Sequence, residues 1–584
     1  MTAPPEIPLT QAARLVLERR YLQRDDRRNA VETPAQMFRR VADNVARAET
    51  AYGANPAALA QPAYDAMCRL EFLPNSPTLM NAGLDIQQLA ACFVLPVEDS
   101  LPGIFDALKY AALIHQSGGG TGFAFSRLRP ANDIVQSTHG VASGPLSFMH
   151  VFDAATDAIK QGGTRRGANM AILNVDHPDI EAFIRAKADR HSLTNFNLSV
   201  AVTDEFMHAV VAGHEVALIN PRTGRQVGSR NARALFDLLA EQAWAHGDPG
   251  LVFIDRINRD NPTPQLGAME STNPCGEQPL LPYESCTLGS IDVSKFVAGD
   301  DLNWDRLGAT VDLAVQFLDD VIDQNRYPSP EIGRMTHSTR KIGLGLMGFA
   351  DLLLLLHVPY DSSTGLEWAQ RLMEFIRTRA NQASAALGKV RGAFPAWPGS
   401  IFAPDGPPYR NATRTTIAPT GTLSIIAGCS GGIEPVYALA FVRRHYLDHD
   451  DPKRLTEIPE VQPILKRLAE EDGWWTDALQ AHLFRGGSLR DWDAAPDWAR
   501  EVFVTAYDVP WEAHVRMQAT FQRHVDNAVS KTVNIAADAG AEDVAAAYLL
   551  AWREGCKGIT VYRDSSRAAQ VLSHLSIGPD SDWR

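Results

Sequence analysis

Apolar residues follow a helical period at the start of the chain and a strand-like pattern after it. Between residues 10 and 70 they recur at helical spacing, and Thr10 stands where it can cap the first helix. From residue 71 onward, short apolar runs alternate with glycine-rich turns and longer periodic segments, as in α/β proteins. The pattern therefore predicts a mainly helical N-terminal region at 1–70 and an α/β domain at 71–570.

Particular elements stand out within the α/β domain. Gly247 and Gly555 each follow a periodic segment and are typical helix stops. A polar segment rich in Pro and Trp at 445–493 predicts a surface insertion, and residues 571–584 form a short C-terminal tail without cysteine. Strand-like runs lie at 91–97, 171–175, 198–202 and 559–562. Clear helical periods lie at 235–245, 311–322 and 544–552.

Composition and charge exclude several classes of protein. The chain has 584 residues, 45% hydrophobic and 21% charged, which is ordinary for a globular protein. Its formal net charge of -14 argues against a nucleic-acid partner. The leucine run at 352–356 is far shorter than the ~18 apolar residues that a membrane helix needs. The first residues lack the pattern of a secretory signal. These features predict a cytoplasmic protein without a membrane partner.

The six cysteines are too few for a disulfide framework, so each is interpreted from its neighbours. Pro274 favours an extended backbone at Asn273, and in an extended segment Asn273, Cys275 and Glu277 point the same way. An amide, a thiol and a carboxylate then converge on one spot. A second thiol, Cys286, follows in the same stretch. The alternative is that both cysteines are small buried hydrophobic residues.

These residues belong to a longer series of motifs. NPCGEQPL at 273–280, followed by ESCTLGS at 284–290, resembles the finger loop of ribonucleotide reductase catalytic subunits of the adenosylcobalamin-dependent class II type. The resemblance covers about residues 10 to 570 and implies a ten-stranded α/β barrel with a central finger loop behind the helical region. Other motifs agree in order and spacing: LPNSPTLMNAG (73–83), ACFVLPVEDS (91–100), GGGTGFAFSRLRP (118–130), QGGTRRGANMAIL (161–173), RKIGLGLMGFAD (340–351), APTGTLS (418–424), GGIEP (431–435) and GCKGITVYRD (555–564).

The resemblance also implies a role for each site residue. A thiyl radical on Cys275 would abstract the 3'-hydrogen of a ribonucleotide, and a ribonucleoside diphosphate is the expected substrate. Glu277 would take the 3'-hydroxyl proton as general base, and Asn273 would orient the ribose. Cys92 and Cys286 would supply two electrons by closing to a disulfide, which leaves a 2'-deoxyribonucleotide for DNA synthesis.

Substrate contacts are implied at Ser76, Ala91, Cys92 and Gly120, besides the finger-loop residues. The stretch PTGTLS also has the features of a phosphate site, because a glycine, three hydroxyls and consecutive backbone N–H groups meet at a helix start. We expect five residues there to hold the substrate phosphates: Pro419, Thr420, Gly421, Thr422 and Leu423.

The stretch GLGLMG at 343–348 formally satisfies the dinucleotide-binding pattern. No strand-like run precedes it, and the resemblance implies that it is a turn of the barrel. A nicotinamide-dependent dehydrogenase would rest on this stretch alone and should bind nicotinamide there.

A second nucleotide site, for a deoxynucleoside triphosphate effector, is implied at the interface of a homodimer. Asp99, Ser100 and Arg129 correspond to positions that hold the effector. Arg165 and Arg166 lie on a glycine-flanked loop, where guanidinium groups can reach phosphates or base edges. A solvated basic turn is the alternative for that loop.

The radical source follows from the last strand. Class I enzymes carry two adjacent tyrosines there, whereas this chain has Thr560 and Val561. That difference favours adenosylcobalamin as cofactor over a class I catalytic subunit with a radical-generating partner. The tail has no cysteine pair, so turnover needs an external thiol reductant such as a thioredoxin-like protein. A non-catalytic nucleotide-binding regulatory protein remains the alternative outside enzymes. The His and Asp residues at 445–451 are interpreted as a solvated loop, so no metal site is predicted.

Overall fold

The computed structural model of the chain describes residues 6–135, 139–160, 167–189, 191–446, 455–564 and 572–573. The chain opens with three helices, each with an apolar face against the rest of the protein. Thr10 caps the first, its Oγ1 accepting from Ala13 N at 3.1 Å, and Thr33 forms a capping box with Gln36 at the second. These helices are α1 (Gln11–Arg20), α2 (Pro34–Ala46) and α3 (Ala57–Cys68).

A ten-stranded sheet follows the helical region. Its strands, numbered in chain order, are β1 (Phe72–Pro74), β2 (Cys92–Pro96), β3 (Gly120–Ala124), β4 (Asn169–Asn174), β5 (Phe196–Val202), β6 (Gly250–Phe253), β7 (Ser285–Asp292), β8 (Ile342–Met347), β9 (Thr532–Ile535) and β10 (Gly558–Arg563). In space they run β1-β7-β2-β3-β4-β5-β6-β10-β9, and β8 also pairs with β7.

The sheet is built from two parallel halves. Strands β2 to β6 are parallel to one another, as are β7 with β8 and β9 with β10. The halves meet in antiparallel pairs, β7 with β2 and β10 with β6. Leu344 of β8 bridges Thr415, and Ile417 bridges Val529 just before β9, both in parallel. The segment 413–418 therefore joins the two remaining edges, and the predicted α/β class with its ten-stranded sheet is confirmed.

The remaining helices lie between these strands or follow them. None of the described helices is long and apolar enough to cross a membrane. They are α4 (Ser76–Asn81), α5 (Leu101–Gln116), α6 (Pro145–Lys160), α7 (Ile180–Ile184), α8 (Asp204–Ala212), α9 (Ala232–His246), α10 (Ile254–Arg259), α11 (Trp304–Gln324), α12 (Pro330–Thr339), α13 (Phe349–Leu355), α14 (Ser363–Arg391), α15 (Gly421–Ala427), α16 (Pro463–Glu471), α17 (Asp477–Phe484), α18 (Asp497–Val502), α19 (Trp511–Gln522) and α20 (Ala541–Arg553).

Short antiparallel pairs lie outside the main sheet, and the segment after α15 contains one of them. Ala440–Tyr446 and Leu455–Val461 form an antiparallel pair, and α16 and α17 follow with their own apolar core around Leu465, Leu479 and Leu483. The segment at 445–493 is thus partly structured around apolar contacts of its own. The other short pairs are Ile134–Val135 with Gly140–Val141, Glu215–Asn220 with Arg225–Asn231, Ser271–Thr272 with Pro279–Leu280, and Val297–Ala298 with Asp301–Leu302.

The prediction of a turn at GLGLMG is wrong, because these residues form most of the buried strand β8. Gly343 and Gly345 are glycines because neighbouring chain passes close to the strand. A Cβ at Gly343 would lie 2.5 Å from Gln278 Nε2, and one at Gly345 would lie 2.4 Å from Thr416 O. Glycine in a strand interior here marks close packing, not a phosphate-binding loop.

A buried network of ion pairs connects the helical region to the α/β domain. Arg391 at the end of α14 donates to Glu49, to Asp319 at 3.1 Å and to Asp320 at 2.6 Å. Arg340 and Arg410 also bind Asp319. Asp319, Asp320 and Asp323 form a group compact enough to hold a metal ion. In this structure arginine guanidinium groups already donate hydrogen bonds to these three carboxyl groups.

Arg391→Leu should lower the free energy of unfolding by about 3–5 kcal/mol, because Glu49 would remain buried without the guanidinium that pairs with it. Urea unfolding measures the change. The control is Arg334→Leu, which removes an exposed partner of Glu331 and should cost under about 1 kcal/mol. An equal loss of unfolding free energy in the two variants would show that the buried network does not stabilise the fold.

Candidate active site

Two thiols face each other where the halves of the sheet meet. Cys286 of β7 is the direct antiparallel partner of Cys92 on β2, and Cys92 in turn pairs with Gly120 on β3. Directly opposite residues in an antiparallel pair have Cα atoms about 4.5–5.5 Å apart, which falls inside the range that a disulfide spans. Both cysteines are free thiols and both are buried. The register therefore makes this pair able to close to a disulfide.

The finger loop turns over these thiols. Asn273 N donates to Gln278 O at 3.1 Å, and Gln278 N donates to Asn273 Oδ1 at 3.0 Å, so the two ends of the loop are tied together. Asn273 Nδ2 donates to Cys92 Sγ at 3.1 Å. The predicted extended backbone is wrong, because Gly276 N donates to Asn273 O and Gly276 has φ +83. The resulting turn leaves Cys275 exposed while Asn273 is buried.

Glu277 is anchored through its backbone as well as buried. Its carbonyl accepts from Thr416 Oγ1 at 2.9 Å and from Ala528 N at 3.0 Å. Thr416 lies in the segment that joins the edges of the sheet, so the loop is attached to the same segment. The Glu277 side chain is near Cys92, since its charge raises the pKa of that thiol, after the larger effect of burial. The amide of Asn273 and the carboxylate of Glu277 thus both lie near the Cys92 thiol.

Glycines in β3 let the finger loop lie directly on the strand. A Cβ at Gly122 would lie 1.7 Å from Thr272 O, and one at Gly120 would lie 2.9 Å from Pro274 Cγ. No side chain fits between the strand and the loop at these positions. Because Gly120 and Gly122 have no Cβ, the finger loop can lie this close to β3 and to Cys92.

Gly122→Ala should lower turnover by at least about a hundredfold, because a displacement of the order of 1 Å in a positioned reactive group costs that much. The added methyl group would push Thr272 and the loop away from β3. Steady-state kinetics and a thermal melt would separate this loss from unfolding. Gly228→Ala is the control, because its Cβ would meet only Leu218 Cδ1, at 3.8 Å, among the described residues. Normal turnover in both variants would contradict the close packing of the loop.

The electrostatic surroundings of the two buried thiols differ. Burial raises the pKa of the Cys92 thiol, and the charge of Glu277 raises it further. Burial also raises the pKa of the Cys286 thiol, but the Lys341 ammonium opposes that rise. Both thiols are therefore protonated near neutral pH. Because Cys275 is exposed, the three cysteines divide into a buried pair and one accessible thiol.

Two strand-end residues predicted to contact substrate lie beside β7. Ala91 N donates to Cys286 O at 3.3 Å, and Asn75 N, in the residue before Ser76, donates to Leu288 O at 2.8 Å. The Ser76 hydroxyl is 2.7 Å from the Tyr21 hydroxyl, which comes from the helical region. These contacts place Ser76 and Ala91 near the thiols.

The predicted phosphate loop reaches the same place through the residue that precedes it. Ala418 packs in one apolar cluster with Cys92 and Cys286. Thr420 follows in a left-handed conformation, with φ 52, and its Oγ1 accepts from Gly432 N at 2.8 Å. Helix α15 then begins at Gly421, which is exposed, and no described atom lies within 4 Å of a Cβ placed there. Thr422 is partly exposed and Leu423 is buried.

Comparison with known proteins agrees with this arrangement. The family model described as "Ribonucleotide reductase, barrel domain" matches residues 90–406 and 405–562, and "Ribonucleotide reductase, all-alpha domain" matches residues 8–87. The chain belongs to the ribonucleotide reductase family. A reductase from Thermoplasma acidophilum, named vitamin B12-dependent ribonucleoside-diphosphate reductase, is 47% identical over 97% of this chain and 80% of its own length. One of the same name from Mycobacterium tuberculosis H37Rv is 50% identical over 98% of this chain and 80% of its own.

A solved reductase has the same fold at low sequence identity. The Actinobacillus ureae class Id ribonucleotide reductase alpha subunit superposes with a TM-score of 0.79. It is 24% identical, and the match covers 97% of this chain and 99% of that one. The barrel and its helical region are thus the architecture of the ribonucleotide reductase family.

The predicted effector residues of this reductase chain form a cluster of their own at the start of α5. Arg129 Nε donates to the two carboxylate oxygens of Asp99 at 2.9 and 3.1 Å. Ser100 caps α5, its Oγ accepting from Gly103 N at 3.2 Å. Arg165 and Arg166 lie outside the described residues.

Three residues that the structure places at the site are not singled out by sequence reasoning. Tyr21 contacts Ser76 from the helical region. Lys341 Nζ lies 2.6 Å from Glu284 Oε2, and both side chains are fully buried next to Cys286. The Glu in ESC and the Lys in RKIG stand inside recognised motifs, but their pairing has no sequence signal.

Proposed function

We propose that this chain reduces ribonucleoside diphosphates to 2'-deoxyribonucleotides with adenosylcobalamin as cofactor, by thiyl-radical chemistry that oxidises Cys92 and Cys286. The observation that carries the proposal is the cross-strand pair of buried thiols beneath an exposed Cys275. The names of the relatives at 47% and 50% identity support the diphosphate substrate and the cofactor.

The site residues can carry out the reaction with balanced atoms and electrons. The sulfur of Cys275 takes the 3'-hydrogen, and Glu277 takes the proton of the 3'-hydroxyl. The 2'-hydroxyl then leaves as water after protonation by one thiol of the pair. Cys92 and Cys286 supply two electrons as their disulfide forms, and the hydrogen of the second thiol goes to the 2'-carbon. Glu277 returns its proton to the 3'-oxygen, and Cys275 returns its hydrogen atom to the 3'-carbon, which restores the thiyl radical with which the cycle began. Asn273 would orient the ribose close to Cys92, because its Nδ2 donates to Cys92 Sγ.

The inner side of β9 and β10 supports a radical formed in place. Thr560 lines a pocket of about 310 Å³ together with Thr532, Asn534 and Tyr562, while Val561 also packs in the apolar core. Thr560 and Val561 therefore stand beside open space where a class I subunit would carry its tyrosine pair. When bound, adenosylcobalamin supplies a radical by homolysis of its cobalt–carbon bond. The names of the relatives favour a bound cofactor over a class I mechanism.

We place the substrate phosphates and the effector at the residues that the sequence resemblance implies. The loop from Pro419 to Leu423 would hold the phosphates, since exposed backbone at Gly421 lies close in sequence to the residue that packs on the thiols. A deoxynucleoside triphosphate effector would sit at Asp99, Ser100 and Arg129, where its phosphates would compete with Asp99 for the guanidinium.

A homodimer fits the outer surface of the effector region. Leu101, Phe105 and Leu113 of α5 are exposed, as is Val151 of α6. Exposed apolar patches mark interaction surfaces, and Leu101 directly follows Ser100 in sequence. A molar mass by light scattering equal to twice that of one chain would support the dimer, and a monomer at all effector concentrations would contradict it.

A dithiol, such as a thioredoxin-like protein of the cytoplasm, would reduce the oxidised pair for the next cycle. Cytoplasmic reductants keep thiols such as these reduced.

The first experiment is conversion of CDP and CTP to deoxy products with adenosylcobalamin, dithiothreitol and an effector, without a second subunit. We expect product, with CDP preferred. Activity that appears only with a radical-generating metallosubunit would establish the class I alternative. Nucleotide binding without any turnover, under both conditions, would indicate a regulatory protein instead.

A further inference from the structure

A pair of hydroxyl groups joins the helical region to the start of α4. The hydroxyl of Tyr21, the residue that follows α1, lies 2.7 Å from Ser76 Oγ, and both residues are buried. Each hydroxyl carries one hydrogen, and only one of the two hydrogens can lie in the bond between them. The hydroxyl that accepts this bond therefore keeps its own hydrogen for another acceptor.

The Tyr21 hydroxyl is the better donor of the two, because a phenol is far more acidic than an aliphatic alcohol. When Tyr21 donates, Ser76 Oγ accepts, and the serine hydrogen points away from the tyrosine. A hydrogen in this position binds an acceptor with negative charge most strongly. The diphosphate of the proposed substrate carries such oxygens.

The backbone at Ser76 is held by groups other than Tyr21. Asn75 N and Asn75 Nδ2 both donate to Leu288 O, at 2.8 and 3.2 Å. Leu288 packs in the same apolar cluster as the two buried cysteines of the site. These contacts fix the position of Ser76 relative to the thiols. The hydrogen bond with Tyr21 acts on the direction of the serine hydroxyl instead.

Helix α1 connects this hydroxyl pair with α15. Thr10 caps α1, and its Cγ2 would lie 3.5 Å from a Cβ placed at Gly428, where α15 ends. Leu17 of α1 and Ile426 of α15 are fully buried in one apolar core. The first turn of α15 contains part of the expected phosphate loop. The same helix thus supports that loop and carries Tyr21 at its other end.

We propose that Tyr21 is a positioning residue for the substrate: its hydroxyl donates to Ser76 Oγ and directs the serine hydrogen to an oxygen of the ribonucleoside diphosphate. The inference rests on the proposed function, because it takes a ribonucleotide as the ligand of this site. Tyr21 acts through Ser76 and does not itself touch the nucleotide. The helical region thereby contributes to substrate affinity.

Tyr21→Phe tests this role, because phenylalanine keeps the buried ring and lacks only the hydroxyl. We expect the KM for CDP to rise about threefold to tenfold, as loss of one neutral hydrogen bond implies. The kcat should not change, since the finger loop and the thiols keep their contacts. Isothermal titration of the full chain with CDP, without adenosylcobalamin, measures the same loss of affinity without turnover.

The matched control is Tyr64→Phe, which removes another tyrosine hydroxyl from the helical region. Tyr64 lies in α3 and is 7% exposed, against 5% for Tyr21. Its ring packs under the Arg39 guanidinium, which lies 3.8 Å from the ring centroid. We expect wild-type affinity for CDP in this variant.

A double-mutant cycle tests whether Tyr21 acts through Ser76. Ser76→Ala should weaken CDP binding at least about tenfold, because a hydrogen bond to a charged oxygen is stronger than a neutral one. The double variant Tyr21→Phe/Ser76→Ala should bind CDP as Ser76→Ala does. Without the serine hydroxyl, Tyr21 has nothing to direct, so the two losses are not additive.

Weaker CDP binding in Tyr21→Phe, with normal kcat and a non-additive double variant, supports the inference. Unchanged CDP affinity in Tyr21→Phe, additive losses in the double variant, or a fall in kcat in place of affinity would overturn it. A wild-type chain that binds CDP without turning it over would contradict the proposed function alone, because the binding measurements still test Tyr21.

Discussion

Replacing Cys275 by serine should lower deoxynucleotide formation at least about a thousandfold. The O–H bond of serine is much stronger than the S–H bond of cysteine, so a radical would not form on the serine oxygen and the 3'-hydrogen would stay on the ribose. Cys275 is the exposed one of the three site thiols, and the turn at Gly276 holds it above the buried pair. The measurement is product formation from CDP, together with release of tritium from the 3'-position.

The matched control is Cys68→Ala. Cys68 ends α3 in the helical region and packs in its core, so the variant should lose some stability and keep its turnover. Tritium release at the wild-type rate from Cys275→Ser would remove Cys275 from the reaction. Full activity in both variants would show that no radical forms on the finger-loop cysteine.

Cys92→Ser and Cys286→Ser should each lower product formation by at least about a hundredfold while tritium release from the 3'-position continues. A single remaining thiol cannot close to a disulfide, so the substrate radical receives no second electron from the pair. Serine keeps the volume of the side chain close to that of cysteine, and at position 92 it can still accept from Asn273 Nδ2. Hydrogen abstraction and reduction are thus separated in one assay.

Repeated turnover of either variant with dithiothreitol at the wild-type rate would show that the pair is not the electron donor. Loss of both tritium release and product would show that the substitution had disturbed the finger loop as well. Thiol counting after one wild-type turnover provides the complementary measurement, because two thiols per chain should disappear.

Local elements of the fold are predictable because their signals are local. Helix α9 spans the predicted 235–245 and ends before Gly247, which has φ 75 as helix-stopping glycines do. Strand β10 contains the predicted 559–562. Strand β8 escapes prediction because its glycines, required by the close approach of Gln278 and Thr416, remove the side chains by which a strand is recognised.

The candidate site divides in the same way. Residues inside one motif, such as Asn273, Cys275 and Glu277, can be found from their order alone, although the backbone between them turns. Contacts between distant segments cannot, since Lys341 and Glu284 are 57 residues apart and Tyr21 and Ser76 are 55 apart. Only the three-dimensional register of the strands and helices brings such pairs together.

The disulfide proposed for the catalytic cycle would connect the two halves of the sheet where they meet. Cys92 belongs to the half formed by β2 to β6, and Cys286 belongs to the half that begins with β7. Each oxidation of the pair would therefore form a covalent cross-link between the two halves, and each reduction would break it. A cross-link between residues so far apart in sequence restricts the unfolded chain strongly. The redox state of the enzyme would then be readable from its resistance to heat, without any substrate or spectroscopic label.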